Sequence, residues 1–333
     1  MTDKVIFDTD PGVDDAMALY FALAHPDIEV VAITTTFGNV TVAQATANAL
    51  YLTRLAGRDI KVAQGGSQPL MKAAGKPPGF IHGDDGLGNL PSRLAVQGQA
   101  ETISAAELIV TMARAHPGEI TLVAVGPLIN LSLALKLEPQ LPKLIKQVVL
   151  MAGAVLEPGN VSPVAEANVW NDPHAADCVF TAGWNLAMVG LDVTHRVTMP
   201  STYFEQLAQH HQQHAAITTL QHAVNFYCDF HRTISADFGH ACYGHDILAF
   251  VYLVAPYLFT TQDGRIRVQV DGLAQGQTMM DRNEDLQYPD PGWEKHRPTT
   301  RVCLQVDVAA CLGLINETLE RDWLGAPLVQ GSR

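Results

Sequence analysis

The sequence predicts an α/β fold: a single domain with a mainly parallel central sheet flanked by helices, Rossmann-like, with its functional site at the carboxyl ends of the strands. Short apolar runs alternate with helical patterns through the first two thirds of the chain, as βαβ units require. The 333 residues are 47% apolar and 17% charged, which is typical of a globular protein, and no linker or repeat divides them. We therefore expect one domain over residues 1–333, with residues 325–333 as a loose C-terminal tail.

The elements are predicted from the spacing of apolar residues and from turn residues between them. The first strand covers residues 5–7, and its turn leads into a helix that begins near Ala16. Further strands are predicted at residues 28–35, 120–125, 147–151, 186–191, 265–270 and 300–307. Further helices are predicted at residues 42–56, 128–137, 215–238, 247–255 and 308–318. The polar, Pro-rich segment 281–298 is expected to be a surface excursion.

Four aspartates crowd the turn after the first strand, and they are Asp8, Asp10, Asp14 and Asp15. Pro11 and Gly12 turn the backbone among them. The helix dipole stabilises an anion by only about 0.3–1 kcal/mol, which is too little to offset four clustered like charges. Ca2+ or Mg2+ binds carboxylate oxygens directly, so the turn predicts a metal site. The alternative is a capped helix start whose aspartates are solvated.

Other polar residues follow later strands or begin later helices. Asp246, beside His245, supplies a fifth carboxylate at a helix start, where it is either a helix cap or part of the same site. Amide and carboxylate side chains on loops after successive strands suit the vicinal hydroxyls of a sugar, and they are Asn39, Asn160, Glu166 and Asn168. Each of these alone is equally explained as a turn former.

Composition excludes several classes of partner. The net charge of −13 and the lack of a basic run argue against nucleic acid. No apolar stretch reaches about 18 residues, so no membrane span is expected. The five cysteines form no CxxC pair, and the N-terminus lacks a signal-peptide pattern, which predicts a reduced, cytoplasmic protein.

The turn sequence DTDPGVDD at residues 8–15 resembles the DxDPGxDD motif of the inosine-uridine nucleoside hydrolases. Three further blocks resemble that family in the same order, at residues 125–130, 160–168 and 245–246. The resemblance spans about residues 5–255. It implies hydrolysis of the N-glycosidic bond of ribonucleosides to ribose and free base, in nucleoside salvage or catabolism, with one Ca2+ in each subunit.

The resemblance also assigns roles to individual residues. The implied Ca2+ ligands are Asp10, Asp15, Asp246 and the backbone carbonyl of Val125. The implied ribose ligands are Asp14, Asn39, Asn160, Glu166 and Asn168. Asp10 would be the general base for the attacking water, and His245 would assist the leaving base. His82, in the HGDDGLG loop, stands where pyrimidine-preferring members have a second histidine, although it is equally explained as tying down its loop.

The base preference stays open between a pyrimidine-preferring enzyme and one of broad inosine/uridine specificity, because the His82 loop has no tryptophan. The candidates to line the base pocket are Phe80, Ile81, Phe226, Tyr227, His231, Phe238 and Tyr243. By family analogy we expect a homo-oligomer, a tetramer or dimer. Two other functions remain as alternatives. Phe7-Asp8-Thr9-Asp10 also fits a haloacid-dehalogenase-like Mg2+ phosphatase, with Asp8 as nucleophile and Asp10 as acid. A non-catalytic nucleoside-binding protein would keep the sugar ligands and need no base.

Overall fold

Residues 2–234, 238–283 and 285–329 are described by a computed structural model, and nine of the strands in this part of the chain form one sheet. The strands are β1 (Asp3–Thr9), β2 (Ile28–Thr35), β3 (Lys61–Gln64), β4 (Ile120–Ala124), β5 (Gln147–Leu150), β6 (Leu186–Met188), β7 (Thr198–Pro200), β8 (Ala241–Tyr243), β9 (Phe259–Val268), β10 (Thr278–Asp281) and β11 (Thr300–Val306). The order across the sheet is β10-β9-β11-β6-β5-β4-β1-β2-β3, and β7 pairs with β8 outside it.

The pairing within the large sheet confirms the predicted fold class. Every neighbouring pair from β11 to β3 is parallel. Only β9 runs antiparallel to its two neighbours, β10 and β11. None of the described helices is both long and apolar enough to cross a membrane.

Helices cover both faces of the sheet. They are α1 (Val13–Ala24), α2 (Val42–Leu55), α3 (Gly79–His82), α4 (Ala105–Ala115), α5 (Ile129–Leu137), α6 (Leu141–Leu144), α7 (Ala167–Asn171), α8 (Pro173–Phe180), α9 (Leu191–Thr194), α10 (Ser201–His210), α11 (Ala215–Ile234), α12 (Ile247–Val254) and α13 (Val308–Leu319). Side chains of β1 alternate between two hydrophobic clusters, as the pleat requires. Val5 and Phe7 pack with α1, α11, α12 and α13, whereas Ile6 packs on the opposite face with α4, α5 and α8.

The strand order places the end of β1 at a reversal of the chain's direction across the sheet. The chain runs from β1 outward to β2 and β3, and then returns to β4 on the other side of β1. Open α/β sheets bind ligands at such a switch point, because the loops after the two central strands diverge and leave a crevice. The residues after β1 and β4, including Asp10 and Val125, therefore lie at the position where a ligand is expected.

Residues 325–329, part of the predicted tail, are hydrogen-bonded to the rest of the chain. The Gly325 N–H donates to the Ala56 carbonyl at 3.0 Å, and the Leu328 N–H donates to the Arg54 carbonyl at 2.8 Å. The Gln97 N–H in turn donates to the Leu328 carbonyl at 2.9 Å. These bonds satisfy carbonyls at the end of α2, which gives the segment a fixed place. Residues 330–333, and residues 235–237 of the predicted helix at 215–238, lie outside the described residues.

Candidate active site

Aspartates that are more than 200 residues apart in the sequence meet at the carboxyl edge of the sheet. Asp14 and Asp15 lie in the first turn of α1, and Asp246 lies directly before α12, which packs beside α1. Each of the three offers a carboxylate oxygen, all within 4.8 Å of one another, and all three residues are buried. Asp246 makes no hydrogen bond that caps α12, so its carboxylate faces this cluster instead of serving the helix.

Asp10 lies beside this cluster, and its carboxylate lies between the backbones of Gly38 and Gly126. Its Oδ2 accepts the Asn39 N–H at 2.6 Å, whereas its Oδ1 is buried without a hydrogen-bond partner among the described residues. A Cβ atom on Gly38 would come within 2.0 Å of Oδ2, and one on Gly126 would come within 2.4 Å of Oδ1. Both positions therefore need glycine, because any side chain would displace the carboxylate.

Asp15 is the most fully bonded of the four aspartates near the N-terminus. Its Oδ1 accepts a short hydrogen bond from the Thr9 hydroxyl. Its Oδ2 accepts the Gly12 N–H at 2.8 Å and the Asn39 side-chain amide at 3.0 Å. These donors fix the orientation of the carboxylate and stabilise its charge.

Asp8 is buried near the end of β1, and it accepts hydrogen bonds from side chains on β2 and α5. Its Oδ2 accepts the Thr34 hydroxyl at 2.6 Å and the Asn130 amide at 2.7 Å. The Asn130 side chain also bonds to the Thr35 carbonyl and to the Gly66 N–H, so it joins the ends of β1 and β2 to the loop after β3. Burial raises the pKa of Asp8 to about 7, against the lowering effect of those two side-chain donors.

The electrostatics of the cluster fit a bound cation. Burial, followed by the Asp15 carboxylate, raises the pKa of Asp14 to about 8. Burial likewise raises the pKa of Asp10, Asp15 and Asp246. Buried carboxylates at this spacing do not all ionise unless a positive charge lies among them. The unpartnered Oδ1 atoms of Asp10 and Asp14 are oxygen ligands of the kind that a hard metal ion binds.

The predicted sugar ligands divide into two groups. Asn168 is buried, and its amide N–H group donates to the carbonyls of Val125 at 2.7 Å and Met151 at 3.0 Å. Glu166 is buried at the start of α7, where its carboxylate accepts three backbone N–H groups. Asn160 is exposed, and its side-chain oxygen accepts the Ala167 N–H. Glu166 and Asn168 therefore lie beside the acidic cluster of Asp14, Asp15 and Asp246, whereas Asn160 lies at the outer end of the same loop.

The two predicted histidines are both buried, but they are oriented by different groups. His82 Nδ1 lies 3.2 Å from the Val13 N–H, from which it accepts a hydrogen bond, and 3.8 Å from Asp14 Oδ1. Burial, followed by His231, lowers the pKa of His82 to about 3. His245 Nδ1 lies 2.8 Å from the Thr194 hydroxyl, and burial, followed by His195, puts its pKa well below the usual value. Both rings are therefore neutral at pH 7.

The family model for the inosine-uridine preferring nucleoside hydrolases matches residues 5–313 of this chain. The chain belongs to this family. The predicted enzyme class, an N-ribosyl hydrolase, is thereby confirmed.

Relatives of the hydrolase support the same assignment over nearly its whole length. A probable uridine nucleosidase of Arabidopsis thaliana is 40% identical over 95% of this chain and 97% of its own. A solved plant nucleoside hydrolase superposes with a TM-score of 0.90 at 37% identity, covering 96% of this chain and 99% of its own. A purine-preferring ribonucleoside hydrolase from Gardnerella vaginalis gives 0.87 at 33% identity, with 96% and 98% covered.

The rings of Tyr227, Phe230 and Phe238 form an aromatic wall on the α11 side of the hydrolase's site. Tyr227 stacks on His82 with the ring centroids 5.2 Å apart, and Phe230 continues the wall behind it. His231 stacks on Phe238 with the ring centroids 5.2 Å apart, and its Nδ1–H donates to the Tyr227 carbonyl at 2.9 Å. The sequence indicated Tyr227, His231 and Phe238 as candidates to line a base pocket. It missed Phe230, although Phe230 lies one helical turn beyond Phe226 and so follows from helical spacing.

Sequence reasoning also missed the groups that hold the acids. Thr9, Thr34 and Asn130 bond to the aspartates. Thr9 and Asn130 lie within the family blocks at residues 8–15 and 125–130 but were given no role, and Thr34 is a single hydroxyl residue in a strand. Gly126 was part of the family block at residues 125–130, and its role beside Asp10 becomes evident only from the close approach of β4 to β1.

Proposed function

We propose that this hydrolase cleaves ribonucleosides to ribose and free base in a Ca2+-dependent reaction, with pyrimidine preference or broad inosine/uridine specificity. The observation that carries the proposal is the convergence of Asp14, Asp15 and Asp246 at the switch point of the sheet. The alternatives from the sequence fit less well. A phosphatase would need positive side chains for phosphate, whereas the described residues around Asp8 and Asp10 are hydroxyls, amides and acids.

Ca2+ would be held by Asp10, Asp15, Asp246 and the Val125 carbonyl, with Asp14 at the edge of its shell. The donor set is entirely oxygen, and Asp10 Oδ1 has no other hydrogen-bond partner among the described residues. When bound, the cation supplies the positive charge that orients the 2′ and 3′ hydroxyls and makes a neighbouring water more acidic.

The protein groups then divide the work of the reaction. Asp10 accepts a proton from the attacking water, because its Oδ1 is free of other donors and its Oδ2 is anchored by Asn39. Breaking the C–N bond develops positive charge on the ribose ring, which the surrounding carboxylates stabilise. Asp14, Asn39, Glu166 and Asn168 position the sugar, and Asn160 would join them only if its loop closes inward.

The leaving base is assisted by His82 and His245. Because His82 Nδ1 accepts the Val13 N–H, its proton resides on Nε2, which makes the other edge of the ring a hydrogen-bond donor. A neutral imidazole that donates a hydrogen bond from Nε2 polarises the departing base and stabilises the negative charge that develops on it.

The base preference is supported by the aromatic wall of Tyr227, Phe230 and Phe238, which offers ring faces for a flat base. The histidines interleaved with it, His82 and His231, offer polar edges suited to the carbonyl groups of uracil or hypoxanthine. We further propose that the enzyme is a cytoplasmic homo-oligomer, a tetramer or dimer, and that its 333 residues form one domain.

The test is an assay of reducing-sugar release from uridine, cytidine, inosine and adenosine before chelation, after chelation and after Ca2+ is restored. We expect ribose release that chelation abolishes and Ca2+ restores, with uridine among the best substrates. Phosphate release from phosphomonoesters without ribose release would favour the phosphatase. Tight uridine binding without turnover in Ca2+-replete protein would favour the binding protein.

A further inference from the structure

Asn48, on α2, is a buried amide that belongs to none of the motifs described above. It is fully buried, and its side chain points from α2 into the space between the acidic turn and the loop that carries His82. Burying a primary amide is costly unless its hydrogen bonds are made, so its partners indicate why it is there.

All four hydrogen-bonding positions of this amide are used. Its Nδ2 donates to the Pro11 carbonyl and to the Asp85 carbonyl, both at 2.9 Å. Its Oδ1 accepts from Gln44 Nε2 at 2.9 Å and from Arg93 Nη1 at 2.8 Å. An asparagine side chain has two N–H donors and two acceptor lone pairs, so this one is fully satisfied and its orientation is fixed.

The two carbonyls belong to opposite sides of the site. Pro11 lies directly after Asp10, on the side that binds the metal and the ribose. Asp85 lies three residues after His82, on the side of the leaving base. One amide group therefore spans the two sides and sets the distance between them.

The loop after His82 transmits this restraint because it is internally rigid. The Asp85 carboxylate accepts the backbone N–H groups of Leu87, Asn89 and Leu90 at 2.8–3.0 Å. The Gly88 N–H donates back to the His82 carbonyl at 2.8 Å. A shift of the Asp85 carbonyl would thus carry His82 with it.

His82 is sensitive to such a shift, because its contact with Val13 is already 3.2 Å long. The acidic turn itself is held separately, since Asp15 accepts the Gly12 N–H at 2.8 Å and the Asp10 N–H at 3.3 Å. Loss of Asn48 is therefore expected to move the His82 loop more than the turn.

We propose that Asn48 is a positioning residue that holds the His82 loop in register with the acidic turn, so that His82 meets the leaving base while the acids hold the ribose. This inference rests on the proposed function of His82. A misplacement on the order of 1 Å costs about 100-fold in rate, so a tether of this kind affects turnover without touching the substrate.

The test compares Asn48→Leu and Arg93→Ala with the wild type on two substrates, uridine and 4-nitrophenyl riboside, in Ca2+-saturated enzyme. Uridine needs help for its leaving base, whereas 4-nitrophenolate departs without a proton. We expect kcat/KM for uridine to fall by about 10- to 100-fold in Asn48→Leu, and less in Arg93→Ala, with a much smaller loss on 4-nitrophenyl riboside. Thr53→Val is the matched control, because Thr53 is equally buried on α2 but bonds only within its own helix.

A double variant, His82→Ala with Asn48→Leu, completes the test. If Asn48 acts through His82, the double variant loses no more uridine activity than His82→Ala alone. Equal losses on both substrates, or additive losses in the double variant, would overturn the inference. If Asn48→Leu does not fold, the more exposed Arg93→Ala decides by the same criteria. A wild type that releases no ribose from uridine would instead defeat the proposed function itself.

Discussion

The carboxylates of the site differ in how many donors each one receives, and this difference separates their roles. Asp15 receives side-chain and backbone donors on both oxygens, so the orientation of its carboxylate is fixed. Asp10 and Asp14 each keep one buried oxygen without a hydrogen-bond partner among the described residues. Those oxygens are the ones available to a metal ion, a sugar hydroxyl or a proton from water.

The close approach of Gly126 to Asp10 leads to a prediction about a single methyl group. We expect Gly126→Ala to lower kcat for uridine on the order of 100-fold, because its Cβ would meet Asp10 Oδ1 at 2.4 Å and displace it. Gly313→Ala is the control, since Gly313 has open space around it within α13. That variant should keep full activity and gain up to about 1 kcal/mol of stability. Steady-state kinetics in saturating Ca2+ measure kcat for both variants, and thermal melts measure their stability. A fully active Gly126→Ala would contradict the predicted displacement of Asp10.

What the sequence predicted at the scale of single residues depended on local pattern. The aspartates of the turn were predicted because they share one strand-turn-helix segment with Pro11 and Gly12. Asn160 and Asn168 follow the same strand and are equally polar, so only the tertiary fold determines that Asn168 turns towards the Val125 carbonyl. Asn48 lies within a helical pattern, where one amide residue has nothing to distinguish it.

Among the elements, the loop between β5 and α7 is held by a residue from a later part of the chain. Asp192, in the first turn of α9, accepts the N–H groups of Val155 at 2.9 Å, Leu156 at 2.6 Å and Glu157 at 3.1 Å. The side chain of Glu157 then lies 3.3 Å from His195 Nδ1, beside His245. This loop leads to the proposed sugar ligands Glu166 and Asn168, so Asp192 fixes the segment that carries them.

We expect Asp192→Asn to destabilise the protein by about 1–3 kcal/mol, because an amide nitrogen would face backbone N–H groups that now have an acceptor. The same change should raise KM for uridine more than it lowers kcat, since the loop carries the proposed sugar ligands. Asp307→Asn makes the same substitution at the N-cap of α13, where the Asn oxygen can accept the same Ala310 N–H. It should change stability by less than about 1 kcal/mol and leave KM unchanged. Denaturant unfolding and kinetics on both variants provide the measurement, and an unchanged KM in Asp192→Asn would refute the assignment.

Element boundaries were predicted where the pattern is local and missed where pairing decides them. Residues 28–35 form β2 as predicted, because this run is rich in apolar and β-branched residues and is bounded by turns, which favours a strand. The late strand predicted at residues 265–270 is instead β9, from Phe259 to Val268. Its exposed first half, with Thr260, Thr261 and Gln262, lacks an apolar pattern and becomes a strand because β11 supplies the hydrogen bonds.

At the scale of the whole molecule, residues far apart in the sequence meet at the acidic cluster. Asp14 and Asp15 belong to the first helix, and Asp246 precedes α12. A ligand that binds the folded state alone stabilises it, by about 2.7 kcal/mol at 100 times its Kd. Ca2+ should therefore act on the stability of the complete fold as well as on catalysis.

We expect Ca2+ to raise the Tm of the chelated wild type, because only the folded chain brings the three carboxylates together. Asp246→Asn should largely abolish this rise, since it removes one charged ligand. Asp263→Asn should keep it, because Asp263 lies exposed on β9. Thermal melts with and without Ca2+ measure the effect. A wild-type Tm that ignores Ca2+, or an undiminished rise in Asp246→Asn, would count against a metal centre in this place.

The central position of β1 has a consequence for how the protein is made on the ribosome. β1 is the first strand to be synthesised, and it cannot complete its pairing until β4 is synthesised. The acidic cluster that its turn begins is completed only when Asp246 is synthesised, well over half the chain later. Pairing between such distant segments is slow, because loop closure precedes the contacts that reward it. A nascent chain halted before residue 246 would thus carry the acidic turn without its partner. The ability to hold a cation would arise only late in translation.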